Sequence, residues 1–295
     1  MTTTYWTVSI SLFAFIVFAM FLLIFRKKKN FQLYFLILAS LLPLVSLLRQ
    51  GVHQSGDFAI NISKSMDLWH SLTFGIFPVH WASLLNANYG YPLFLFTYPL
   101  PYYSIALFKL LGFSFIASEK IVIAGIFILS GLSMHLLLRH FLKQTPSLLG
   151  SILYLFAPYH LVDMHFRVAL GELFAFSILP LVLLGLLRRN VVLISLSYAG
   201  LLLSHQAISV ITTPFLFAFP FFLKRKQKNF LVSFGGLSIG LLLSSFFWLP
   251  VVEGITHTIQ SKASEVSFES IMLFLISPWR GGFCTRALLG SFHTQ

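Results

Sequence analysis

Residues 157–176 read APYHLVDMHFRVALGELFAF. Asp163, His165, Arg167 and Glu172 stand here within one of the most apolar regions of the chain, and the solvent around them decides the fold. A soluble core would hide such groups in paired networks. In a lipid-embedded chain each ionisable group costs several kcal/mol unless it lines an aqueous site. Working outward, the chain is 57% hydrophobic and 9% charged, with 34 Phe in 295 residues and a mean hydropathy of +0.87. Soluble domains run near 45–50% apolar and about 25% charged. The reading is an all-α, polytopic membrane protein.

The net charge of +12 does not indicate nucleic acid. The basic residues fall in short clusters between apolar runs: Arg26 to Lys29, Arg139 with Lys143, Arg188-Arg189, and Lys224 to Lys226 with Lys228. That is the positive-inside pattern of membrane proteins. The run Tyr5–Phe25 is long enough to span a hydrocarbon core of roughly 30 Å, and with no basic residue ahead of it, it reads as a retained helix and not a signal peptide. Phe31–Leu48 returns outward. Residues 49–98 read as the first extracytoplasmic loop with interfacial helices, 99–249 as a helical bundle, and 250–295 as an extracytoplasmic start of a further region, all within one integral-membrane domain. About eight or nine membrane helices are expected. Parity requires one short apolar segment not to cross. Residues 146–157 and 99–112 are the candidates, and 146–157 is favoured although it leaves Arg139 and Lys143 outside. Cys284 is the single cysteine and can form no internal disulfide.

The chain has eight acidic residues: Asp57, Asp67, Glu119, Asp163, Glu172, Glu253, Glu265 and Glu269. In this topology all but Glu119 lie toward the outer face, together with His70, His80, His160, His165 and His205. Carboxylates at membrane level beside His and Arg mark a catalytic or ion site. Asp67, Glu265 and Glu269 fit an ordinary loop role equally well. His160 and His165 flank Asp163 and form a weak metal-ligand pattern. The five tyrosines of NYGYPLFLFTYPLPYY (88–103), Tyr91 among them, suit either an interfacial aromatic belt or stacking against a sugar.

SGDFAI (55–60), the Tyr-Gly-Tyr-Pro block at 89–92, APYHLVD (157–163), LLLSHQAIS (201–209) and FFWLPVVEG (246–254) together resemble bacterial polytopic proteins described as membrane protein, 6-pyruvoyl-tetrahydropterin synthase-related. The resemblance covers roughly residues 30–279. The organisation of that family resembles the GT-C integral-membrane glycosyltransferases. No pterin chemistry is expected, because a His-only zinc site needs clustered ligands and the ten His here are dispersed.

The GT-C likeness implies a bacterial plasma-membrane enzyme that moves a sugar from a polyprenyl-phosphate donor to an extracytoplasmic glycan or protein. It places Asp57 as general base, alone or as ligand of a divalent cation. Arg167 would meet the phosphate, with Asp163, Glu172, His160, His165, His70 and Tyr91 shaping the substrate site; the competing role for Arg167 is an ion pair with Glu172 or Asp163. Five residues apart, Arg167 and Glu172 would share a side of one continuous helix only loosely, and a boundary near Val168 would change that. Relatives often carry His where this chain has Asn61, and Arg where it has His80. After Trp279 the familiar pattern gives way to RGGFCTRALLGSFHTQ, which reads as a fragment end or a frameshift. The alternative function is a transporter, flippase or scaffold for lipid-linked glycans.

Overall fold

The fold is taken from a computed structural model that describes residues 31–52, 54–222 and 227–254, with backbone alone at 227–229. The chain divides into two compact units at Trp248/Leu249, and the candidate site lies in the first. Among the described residues there is no strand, only an isolated bridge between Ala82 and Tyr91. The elements are α1 (Phe31–Leu44) with a 3-10 turn (Val45–Leu48), α2 (Phe58–Thr73), α3 (Leu93–Phe96), α4 (Leu100–Leu110), α5 (Phe115–Leu138), α6 (Gln144–Leu155), α7 (Pro158–Val162), a π-turn (Asp163–Arg167), α8 (Leu170–Arg188), α9 (Val191–Ser204), α10 (Gln206–Phe222), α11 (Gln227–Leu243) and α12 (Ser245–Gly254).

The long helices α5 and α8 are apolar on every side, as helices surrounded by lipid and other helices are. Their starts and neighbours are set by local chemistry. Ser114 caps α5 through Ala117 N–H (3.2 Å), and Asn190 caps α9 through Leu193 N–H (3.0 Å). Buried serines such as Ser130, Ser133, Ser151 and Ser195 turn their hydroxyls back onto their own helix carbonyls, which satisfies them within the core. Glycine provides close approach: a Cβ on Gly240 would stand 2.8 Å from the Ser195 carbonyl.

These contacts fix direction. Gly131 faces Leu155, and His135 Nδ1 lies 3.4 Å from Ser151 Oγ, so α5 and α6 are antiparallel. Gly185 faces Ile194 and Gly171 faces Ser204, so α8 and α9 are antiparallel as well. Lys120 Nζ donates to the Arg49 carbonyl, joining the end of α1 to the start of α5. The bundle thus has a first end, with Arg49, residues 56–57, Lys120, the π-turn and His205, and a second end with the Arg139–Lys143 turn and Arg188-Arg189.

Three expectations are corrected. The segment held at one end is α4, which has only 11 residues and packs on α2, while α6 runs back along α5. Arg139 and Lys143 therefore sit with Arg188 and Arg189, as the charge rule asks. Glu119, expected opposite to the other acids, is at the first end, wholly buried beside Asn61. Finally, three described helices are long and apolar enough to cross a membrane (Phe31–Leu48, Phe115–Leu138 and Leu170–Arg188), or up to 4 if the broken pair Phe230–Leu243 and Ser245–Gly254 is one span. Val191–Ser204 and Gln206–Phe222 are apolar but shorter. Tyr5–Phe25, the Arg26 and Lys224 clusters, Glu265, Glu269, Cys284 and the stretch after Trp279 lie outside the described residues.

Candidate functional site

The charged stretch at 157–176 is a helix reversal. Pro158 starts α7, where its missing N–H is no loss. The π-turn then ends on Val168, a buried β-branched residue held left-handed at φ 54, ψ 48. Such a conformation is costly and persists only where its surroundings impose it. It is the boundary that brings Glu172 back onto Arg167. Arg167 Nη2 donates to Glu172 Oε1 (2.6 Å) and Nη1 to Glu172 Oε2 (3.1 Å), a bidentate pair. Nη1 also reaches Asp163 Oδ1 (2.6 Å) and Tyr159 Oη (2.9 Å), and Tyr159 donates to Glu172. The Arg167 side chain is 44% exposed, that of Glu172 13% and that of Asp163 0%. Burial, reinforced by the Glu172 carboxylate, pushes Asp163 up to about 7 against the pull of Arg167.

Asp57 stands at the head of α2, tied to this turn through the main chain. Gly56 N–H donates to the Phe166 carbonyl (2.7 Å) and Asp57 N–H to the Arg167 carbonyl (2.8 Å). Asn61 Nδ2 donates to the Val168 carbonyl (3.0 Å), and Tyr102 Oη donates to Asn61 Oδ1 (3.2 Å). An Asp at this position commonly caps its helix. Here the side chain makes no capping bond and is exposed, leaving its carboxylate open to other chemistry.

Around Asp57 lie groups that feel its charge. Lys64, two turns along α2, has its ammonium 5.9 Å from the centre of the Tyr102 ring. Burial lowers its pKa, and Asp57 opposes the shift. Tyr98 stacks on Tyr102 (6.0 Å) and on His205 (5.5 Å), with its hydroxyl against the Gly171 backbone. Burial raises the Tyr98 pKa and lowers that of His205, so both are neutral near pH 7. Between α2 and α4 runs an apolar groove of about 530 Å³, lined by Trp69, Leu72, Tyr103, Leu107 and Leu110.

Asp57, Arg167, Asp163 and Glu172 are thus brought together. The histidines are not. His160 turns inward, stacked on Phe176 (4.4 Å) with its Nδ1 3.3 Å from the Tyr154 carbonyl, while His165 Nδ1 lies 3.0 Å from Ser46 Oγ. They cannot share an ion with Asp163, and no group of three or more His, Cys, Asp and Glu among the described residues is placed to hold a metal. His70 contacts Ser83, and Tyr91 lies along the loop that the wholly buried Asp67 holds by accepting from Ser83, Leu84 and Leu85 N–H. Asp67 therefore has the ordinary loop role. Sequence reasoning did not single out Lys64, Tyr98 or Tyr159. The spacing Asp57–Asn61–Lys64, which puts the three on one face of a helix, was the signal available for Lys64.

Residues 95–278, more than half the chain, match the family model described as 6-pyruvoyl-tetrahydropterin synthase related domain; membrane protein. An uncharacterized protein of Lactococcus lactis subsp. cremoris (strain MG1363) is 28% identical over 260 residues, covering 81% of this chain and 42% of that protein. The chain thus spans about two fifths of the length of the curated relative it matches. On the extent of the family match, this chain belongs to the membrane proteins described as 6-pyruvoyl-tetrahydropterin synthase related.

Proposed function

We propose that the protein is a GT-C-like glycosyltransferase that moves a sugar from a polyprenyl-phosphate donor to an extracytoplasmic glycan or protein. Asp57 carries this reading: an exposed carboxylate not used in capping, seated by main-chain bonds beside a charged turn at one end of an apolar bundle. It takes the proton of the acceptor hydroxyl, directly or through a divalent cation, as that oxygen attacks the anomeric carbon and the bond to the phosphate oxygen breaks with inversion. The groove between α2 and α4 suits the polyprenyl chain. Arg167 is engaged by Glu172 and Asp163, so it shapes the donor side as part of a neutralised cluster. With the basic second end in the bacterial cytoplasm, the site faces outward.

The test is label transfer by protein in lipid nanodiscs, supplied with radiolabelled polyprenyl-phosphate sugars and an envelope acceptor. Wild type is expected to transfer label and Asp57→Asn to lose transfer while still binding donor. Glu119 favours a second reading, as a transporter or flippase: it is wholly buried in the apolar bundle beside Asn61, with no ion-pair partner among the described residues. In that case the wild type transfers no label, and Glu119→Gln blocks movement of a lipid-linked glycan across the bilayer.

A further inference from the structure

The cation that sequence reasoning put forward, Arg167, is already neutralised. Lys64 is different. It makes no ion pair with any described residue, yet its ammonium is half-buried against Tyr102. A half-buried cation without a partner is electrostatically incomplete and favours an anion. Lys64 also walls an open pocket of about 650 Å³, built from Ile60, Ser63 and Lys64 on one face of α2 and from Leu85, Asn86 and Tyr91 on the facing loop.

That loop is held in place at a cost. Asn86, Ala87 and Asn88 are all left-handed, at φ 54, 54 and 66, and only the first and last are residue types that tolerate this well. Asp67 anchors the turn from below, accepting from Ser83 N–H (2.9 Å), Leu84 N–H (3.1 Å) and Leu85 N–H (3.3 Å). Strain imposed by a buried anchor at the rim of a pocket is the pattern of a binding loop. The pocket's groups are also complementary to one kind of ligand. Ser63 donates its own hydroxyl hydrogen to the Ala59 carbonyl, so its oxygen is left to accept. The Asn86 amide both donates and accepts. Tyr91 offers a ring, and Ile60 and Leu85 offer apolar contact. A hydroxyl-rich ring bearing one anionic group uses all of these.

We propose that this pocket binds an anionic saccharide, with Lys64 on the carboxylate or phosphate, Ser63 and Asn86 on hydroxyls, and Tyr91 against the ring face. The assignment rests on the glycosyltransferase reading for its purpose, since the pocket lies on the same helix as Asp57 and would hold the acceptor, but it is tested by binding alone.

The experiment uses the full chain in nanodiscs of zwitterionic lipid and measures the affinity of a glucuronate-containing disaccharide against its neutral glucose counterpart. The acidic sugar is expected to bind at least about tenfold more tightly, a difference of ~1.4 kcal/mol. Lys64→Gln removes that preference, Lys64→Arg keeps it, and Lys143→Gln, at the opposite end of the bundle, leaves it unchanged. Thermal unfolding of each variant is followed in parallel, so that loss of fold is not read as loss of binding. Equal affinity for the two sugars, or an unchanged preference in folded Lys64→Gln, overturns the proposal. Binding of phosphatidylglycerol that is lost in Lys64→Gln, with no binding of either disaccharide, assigns the anion site to a lipid headgroup and overturns the saccharide. Loss of transfer in Asp57→Asn with intact sugar binding bears on the enzyme reading only.

Discussion

At the scale of single residues, the turn at 163–172 makes a pH prediction. Asp163 holds its proton up to about 7 in the folded protein, against 3.8 as its ordinary value. The folded state therefore binds this proton more tightly than the unfolded one. Its contribution is complete below the ordinary value and is lost as pH rises through the folded one. Unfolding temperature is expected to fall between about pH 4 and pH 7 in wild type relative to Asp163→Asn, where Arg167 keeps its bidentate bonds to Glu172. Parallel pH profiles of the two proteins check this; coincident slopes refute it. The sequence made these four charged positions visible, but not their arrangement. Arg167 and Glu172 are five apart, and only the left-handed Val168, a residue type with no preference for that conformation, brings them face to face. The role of Asn61 was equally hidden: its amide joins Tyr102 to the Val168 carbonyl.

At the scale of elements, the apolar helices were legible almost to their ends, because length and hydropathy suffice for them. Residues 99–112 and 146–157 were not separable in this way. The two helices have 11 and 12 residues and similar character, and partners decide their fates: α4 has amphipathic α2 to lie on, whereas α6 runs back along the last turns of α5. The loop that closes over α2 depends on Asp67. Asp67→Ala leaves three N–H groups without their acceptor, and a loss on the order of 2 kcal/mol in chemical unfolding is expected. Packing of α8 on α9 depends on Gly171, where a Cβ would meet the Ser204 carbonyl at 2.6 Å, Tyr98 Cζ at 2.7 Å and His205 Cδ2 at 2.9 Å. Gly171→Ala is expected to cost about 1–3 kcal/mol, and to move the Tyr98–His205 stack, visible as a change in the His205 imidazole signals by NMR.

At the scale of the molecule, the two ends of the bundle carry different chemistry, and sidedness follows from it. With Cys284→Ser as background, Gln54→Cys and Lys143→Cys are expected to react with a membrane-impermeant maleimide from opposite faces of sealed vesicles. Labelling of both from one face would undo the chain path described above. The charge clusters announced this polarity in the sequence; what they could not announce was which short helix stays behind, and so Glu119 was assigned to the wrong end. One feature of the first end bears on how such a chain can change over time. Asp57 is seated by carbonyl oxygens of Phe166 and Arg167, and every amino acid supplies a carbonyl. The exposed Phe166 side chain is therefore free to drift without moving the carboxylate. The donors are less forgiving: proline at 56 or 57 removes an N–H that nothing else on α2 replaces. Lineages should thus wander at 166 and keep proline out of 56 and 57, a pattern of constraint set by the main chain.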